Sequence, residues 1–97
     1  MATVVMYSTA NCGFCVLAER LLRARGVADV GKIRVDLEPS RRREMIERTG
    51  RRTVPQIYIG EQHVGGYDDL VVLDRAGDLL PLLGDVPQAD VATGATL

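Results

Sequence analysis

Cys12-Gly13-Phe14-Cys15 stands between an apolar run, Val4-Val5-Met6-Tyr7, and a helical pattern from Phe14 to Arg25, and its reading decides the fold. These are the chain's only two cysteines. A cysteine at the first turn of a helix faces unsatisfied backbone N–H groups and the positive end of the helix dipole, and both favour thiolate over thiol. Such cysteines titrate at roughly 3.5–7.5 instead of about 8.5. A second cysteine three residues on lies about one helical turn away, within reach of a disulfide formed at the first. The spacing therefore predicts a nucleophile and a resolving thiol, with Cys12 exposed and Cys15 tucked under the helix. The same spacing suits half a zinc site, but tetrahedral zinc needs four ligands, and two cysteines with a single histidine fall short. A structural disulfide across two residues closes too small a loop to stabilise much.

Upstream, residues 3–7 are β-branched or apolar throughout and predict a strand buried on both faces. Ser8 to Asn11 form a polar loop into Cys12. Within the helix, Phe14, Ala18, Leu21 and Leu22 share one face, Glu19, Arg20 and Arg23 point outward, and Gly26 supplies the stop. A second strand is expected over Lys32–Leu37, where Ile33 and Val35 alternate with charge. A second helix follows from Pro39 or Ser40 to about Thr49, ahead of Gly50. Strand, helix and strand in this span make a βαβ unit, which predicts parallel strands and a right-handed crossover.

Downstream, Gln56-Ile57-Tyr58-Ile59 and Gln62-His63-Val64 flank Gly60-Glu61, a pattern for a tight hairpin with glycine at a positive φ. Asp68-Asp69 open a third helix reaching Gly77, and Asp78 to Leu83 read as a final helical turn or two over the core. From Gly84 onward small and polar residues dominate. The expected organisation is one domain over residues 1–84 and a flexible tail over 85–97. The element order predicts an α/β, thioredoxin-like layout, a four-stranded mixed sheet flanked by helices.

The bulk properties exclude several classes. A chain of 97 residues, 46 % apolar and 26 % charged, is long enough for one core and too apolar for wholesale disorder. A net charge of −1 gives no electrostatic case for nucleic acid or an anionic membrane. No apolar stretch approaches the roughly 20 residues of a membrane span, and the N-terminus lacks a signal pattern. The expected compartment is the reducing cytosol, where a close cysteine pair serves catalysis or metal binding more often than structure.

Three further motifs each carry two readings. Pro55 in Thr53-Val54-Pro55 suits the first residue of an edge strand. It equally suits a cis peptide that turns the Val54 backbone outward to pair with a bound peptide. Gly65-Gly66-Tyr67-Asp68-Asp69 is ordinary helix-start grammar, or a site where the helix N-terminus takes a carboxylate and Asp68 or Asp69 an ammonium, the end groups of a γ-glutamyl arm. Arg41-Arg42-Arg43 suggests a basic patch, but the spacings Glu38–Arg42, Arg43–Glu47 and Glu44–Arg48 favour a solvated helix face. His63 reads as a strand residue and not as a base, and Tyr7 and Tyr58 as packing.

Together, Cys12-Gly13-Phe14-Cys15, Thr53-Val54-Pro55 and Gly65-Gly66-Tyr67-Asp68-Asp69 resemble the glutaredoxins over about residues 3–83. Thr49 to Ile57 and His63 to Gly66 look like the small bacterial, single-domain members. The resemblance implies an enzyme that uses glutathione to reduce protein disulfides and glutathionylated proteins. It makes Cys12 the nucleophile and Cys15 the resolving thiol. By the same resemblance Val54 pairs with the cysteinyl backbone of glutathione, Pro55 is cis, Tyr67 and Asp68 hold the γ-glutamyl end, and Gly66 belongs to the glutathione-binding set. Thr9, Phe14 and Thr53 complete the glutathione-binding set, and Arg42 lies where a polar or basic residue often meets the glycyl carboxylate.

Two departures from that pattern matter. Thr9 stands where a lysine is common, so charge is missing unless Arg42 or Arg52 compensates. Gly13-Phe14 replaces the Pro-Tyr of many dithiol members. In the family, such non-proline motifs are associated with a [2Fe–2S] cluster shared between two subunits, with Cys12 and glutathione as ligands. Cluster binding or transfer is therefore the alternative function. The expected partners are glutathione and disulfide-containing or glutathionylated proteins, with neither nucleic acid nor membrane, and the chain is expected to be a monomer that dimerises only around a cluster. A redoxin fed by thioredoxin reductase is a third reading, against which Gly65–Asp69 speaks.

Overall fold

Five residues of the first strand govern the sheet. The computed structural model describes residues 3–84; the tail expected over 85–97 lies outside the described residues. Strand β1 (Val4–Ser8) leads through the cysteine turn into α1 (Gly13–Ala24), then β2 (Val30–Arg34) and α2 (Pro39–Thr49). The second half runs β3 (Gln56–Ile59), β4 (Gln62–Gly65), α3 (Tyr67–Arg75) and α4 (Leu79–Leu83). The sheet order is β2-β1-β3-β4, with β1 parallel to β2 and antiparallel to β3, and β3 antiparallel to β4. This is the mixed sheet of a thioredoxin-like fold, with β1 central and buried along nearly its whole length.

Strand β2 differs from its expected span of Lys32–Leu37. It starts at Val30 because Val4 pairs with Val30, and the parallel register runs from there to Ser8 with Arg34. It stops there because the chain turns: the Leu37 N–H donates to the Arg34 carbonyl, while the Val35 N–H still reaches Ser8. Smaller shifts occur elsewhere, with β1 reaching Ser8, β4 reaching Gly65, and α3 beginning at Tyr67 behind Gly66. Gly60 does take a positive φ, +61°, in the two-residue hairpin turn.

Because side chains alternate across a strand, β1 serves two different cores. Val4 and Met6 join Ala18, Leu22, Ile57, Leu70, Leu79 and Leu83 beneath α1, α3 and α4. Tyr7 joins Val35, Met45 and Tyr58 beneath α2. Arg25 ties the end of α1 to α3 through a two-pronged pair with Asp74, at 2.6 and 2.8 Å.

The expected spacing pairs of α2 give way to tertiary demands. Arg41 pairs with Glu44 at 2.8 Å and approaches Glu38 at 4.0 Å. Glu44 and Arg48 turn inward to the buried Tyr7 hydroxyl, which donates to Glu44 and accepts from Arg48 at 2.8 Å. A buried phenol needs partners, and α2 supplies both. Burial first, then Glu44, pushes the Tyr7 phenol up, whereas its donated hydrogen bond is the main cause holding Glu44 down. The Arg48 guanidinium also lies 4.1 Å from the centre of the Tyr58 ring.

Candidate functional site

The strand-to-helix turn delivers Cys12 as the N-cap of α1, with φ −118° and extended backbone. There the side chain meets the first free amides of the helix: Cys12 Sγ accepts from the Cys15 N–H at 3.1 Å. Cys12 and Cys15 form a disulfide, their Cα atoms 5.2 Å apart. Cys15 is 5 % exposed and packs in the larger core. Cys12, expected to be exposed, is half-buried because it packs against the larger core with Val54 beside it.

The Val54–Pro55 peptide bond is cis, which decides between the two readings of Pro55. The Val54 carbonyl oxygen lies 3.9 Å from Cys12 Sγ. Among the described residues its N–H has no hydrogen-bond partner, since the β1–β3 ladder ends at Gln56. A strip of backbone beside the disulfide is thus left unpaired.

Next to this strip runs a groove of about 350 Å³ lined by Phe14, Arg51, Thr53, Val54, Pro55, Gln56, Gly66, Tyr67, Asp68 and Asp69. Phe14, 60 % exposed, stacks on Tyr67 with ring centres 6.1 Å apart and planes 26° apart, so an aromatic pair forms one side. Gly66 caps α3, and Asp69 reaches back to accept the Gly66 N–H at 2.8 Å. The Arg51 guanidinium meets the same Asp69 oxygen at 2.9 Å. Arg51, then the Gly66 amide, hold the Asp69 carboxyl below the ordinary range. Gly65 has φ +114°, and a Cβ there would fall on the Asp69 carboxylate, so close approach and backbone conformation both require glycine.

Of the residues singled out from sequence, Phe14, Thr53, Val54, Pro55, Gly66, Tyr67 and Asp68 line this groove beside the cysteines. Thr9 does not. It lies with Cys12, Cys15, Ser8, Glu19, Lys32 and Arg34 around a smaller recess of about 180 Å³. Arg42 lines neither space, and its guanidinium donates to the Arg52 carbonyl at 3.3 Å. The arginine at the groove is instead Arg51, which the sequence reading passed over, as it passed over Gln56. The available signals were Arg51's place just before Thr53-Val54-Pro55 and a polar Gln56 opening an otherwise apolar strand. Among the described residues no cluster of three or more histidine, cysteine or acidic side chains is gathered as a metal would need. No helix among them is long and apolar enough to cross a membrane.

Comparison with known proteins bears on this geometry. Residues 4–64 match the protein family described as Glutaredoxin. The chain is 49 % identical over 83 residues to a glutaredoxin of Neisseria meningitidis serogroup A, covering 86 % of this chain and 98 % of that one. To glutaredoxin 3 of Escherichia coli strain K12 it is 47 % identical over 83 residues, covering 86 % and 99 %. Among solved structures it resembles the crystal structure of a buckwheat glutaredoxin–glutathione complex, with TM-score 0.77, 33 % identity, and 84 % and 76 % of the two chains covered.

Proposed function

Since this chain belongs to the glutaredoxin family, whose members are thiol–disulfide oxidoreductases, we propose that its exchange runs on glutathione, with Cys12 as nucleophile and the groove as docking site. The observation that carries this reading is the unpaired Val54 backbone, whose carbonyl lies 3.9 Å from Cys12 Sγ at the mouth of the groove. An extended peptide adds to such a strip as one more strand, which suits the cysteinyl residue of glutathione and brings its sulfur to Cys12. The γ-glutamyl end then falls to Gly66, Tyr67 and Asp68, where the start of α3 offers free amides to a carboxylate. Phe14, Thr53 and Pro55 line the path between, and Arg51 is the cation nearest the docked tripeptide.

In the reduced protein the Cys15 N–H and the N-terminus of α1 face the Cys12 thiolate and favour its charge. That thiolate attacks the glutathione sulfur of a mixed disulfide, and the bond to the protein sulfur breaks with that thiolate leaving. A second glutathione thiolate attacks the Cys12-bound glutathione, releasing Cys12 as thiolate and forming oxidised glutathione. On a protein disulfide, Cys12 is first joined to the substrate. Cys15 then closes the Cys12–Cys15 bond, expelling the second substrate thiol, and two glutathiones reduce that bond later. The substrates are disulfide-containing or glutathionylated proteins, and the compartment is the cytoplasm.

The alternative is a [2Fe–2S] cluster shared between two subunits: Cys15 is buried, so each chain would offer Cys12 as its sulfur donor, and glutathione would complete the ligand set. No step is routed through a cluster. Absorption spectra after anaerobic purification, and after incubation with iron, sulfide and glutathione, test this; a visible charge-transfer band in a dimer supports that reading, and a colourless monomer removes it.

The principal test is a glutathione-coupled assay of two variants. Cys12→Ser is expected to abolish turnover, and Cys15→Ser to retain deglutathionylation while losing protein-disulfide reduction. Full activity in Cys12→Ser, or activity supported equally by thioredoxin reductase without glutathione, refutes the assignment.

A further inference from the structure

Behind the groove wall a short chain of polar contacts has no part in the exchange chemistry. Gln56 is 1 % exposed, yet it lines the groove. Its side-chain nitrogen donates to the Thr53 carbonyl at 3.0 Å and lies 3.5 Å from the Thr53 hydroxyl. Its oxygen is 2.7 Å from Nε2 of His63 on the neighbouring strand. The directions of these bonds are fixed by elimination. A backbone carbonyl only accepts, so the Gln56 amide must turn its NH₂ to Thr53 and its oxygen to His63, and the ring nitrogen facing that oxygen must carry a hydrogen. The His63 ring is held in turn by Tyr58, with centres 5.1 Å apart, and Tyr58 lies under the Arg48 guanidinium.

We infer that His63, acting through Gln56, is a positioning residue that holds the Thr53–Val54–Pro55 wall at the height where a peptide ligand can pair with Val54. The inference rests on the glutathione reading of the groove. Its physical basis is that Thr53 and Val54 lie beyond the end of the β1–β3 ladder, so sheet hydrogen bonds do not fix them. Gln56, the end residue of that ladder, supplies the missing tether through its side chain, and buried hydrogen bonds of this kind lose geometry when one partner is removed. Around the ring, burial first and then the Arg51 charge hold His63 below its ordinary value, with Arg48 adding and Asp69 opposing. The neutral ring with its hydrogen on Nε2 is therefore the form at neutral pH. The role is in binding and not in chemistry, because His63 itself lines neither the groove nor the recess that holds the cysteines, and reaches the groove only through Gln56.

The test uses the full chain and two substitutions. His63→Phe keeps a ring beside Tyr58 and removes the donor; His63→Gln returns an N–H at similar reach. With a glutathionylated peptide as substrate, His63→Phe is expected to raise KM about fivefold with kcat within about twofold, the scale of one neutral hydrogen bond. His63→Gln is expected to return KM to within about twofold of the wild-type value. An unchanged KM in His63→Phe, a loss confined to kcat, or no rescue by His63→Gln overturns the inference. Nitrogen-15 spectra of the imidazole give an arm that needs no glutathione. A hydrogen on Nε2, with Thr53 and Val54 amide shifts that move in His63→Phe and return in His63→Gln, supports the positioning role; a hydrogen on Nδ1 overturns it. Wild-type protein without glutathione-dependent turnover defeats the reading of the groove, and the spectra then still decide whether His63 holds its wall.

Discussion

The two faces of the sheet are built on different principles. Beneath α1, α3 and α4 the core is apolar, from Val4 and Met6 through Leu22, Ile57 and Leu70 to Leu83. Beneath α2 the smaller core has Tyr7 and Tyr58 at its centre, wired to Glu44, Arg48, His63 and Gln56. The first face contributes stability through area removed from water, which is non-directional and tolerant of small shifts. The second contributes direction, because each hydrogen bond fixes an angle as well as a distance, and its last contact ends on Thr53 at the groove. Cys15 sits in the apolar core itself, and Cys12, Val54 and Tyr67 pack against its edge.

Breaking the apolar face is expected to cost stability without altering the site. Leu22 is fully buried, so Leu22→Ala should lose about 2–5 kcal/mol in urea denaturation. KM of the molecules still folded should stay at the wild-type value, and a KM change as large as that of His63→Phe would erase the distinction between the faces. Gly65→Ala comes next. A left-handed φ costs an L-residue about 1–3 kcal/mol, and the new methyl also displaces Asp69 from Gly66 and Arg51. Both Tm and groove affinity should fall, since Gly65 is where the sheet meets the start of α3. Tyr7→Phe sharpens the comparison from the polar side. It removes one hydroxyl from Glu44 and Arg48, which can both reach water, so about 1 kcal/mol is expected in the same denaturation assay.

The smallest effects are those of pH. Glu19, Glu44, Asp69 and Asp74 are held below their ordinary values, and Asp36 is lowered to about 2, with the Arg34 hydrogen bond its first cause. Carboxyl groups depressed in the folded state favour folding fully above their unfolded values near 3.8–4.5 and lose that contribution as pH falls toward their folded values. His63 acts earlier and in the same direction. Its folded value is lowered, so the unfolded chain binds the proton first and stability begins to decline as pH falls through 6.5. Melting curves from pH 7.5 to 3 should show a shallow decline near 6.5, absent in His63→Gln, and a steeper one below about 4.5. These pairs lie at the surface and are partly exposed, so added salt should flatten the lower step.

Local chemistry had already written much of this in the chain. The cysteine turn, the helix starting behind Cys12, the Gly60 turn and the strand–helix order are properties of neighbouring residues, and the sequence by itself determined them. The choice between two readings of Pro55, the span of β2 and the identity of the groove arginine were decided only in three dimensions. Val4 had to find Val30 before β2 had ends, and the Tyr7 hydroxyl had to be buried before Glu44 and Arg48 turned inward. Arg51 and Arg42 are alike as residues; the first, in the loop after α2, meets Asp69 on α3, and the second, on α2, meets the Arg52 carbonyl. Spacing along a chain specifies backbone habit and the face a side chain takes within its own element. Which partner that side chain meets depends on register between elements far apart in sequence, and that is set when the sheet closes.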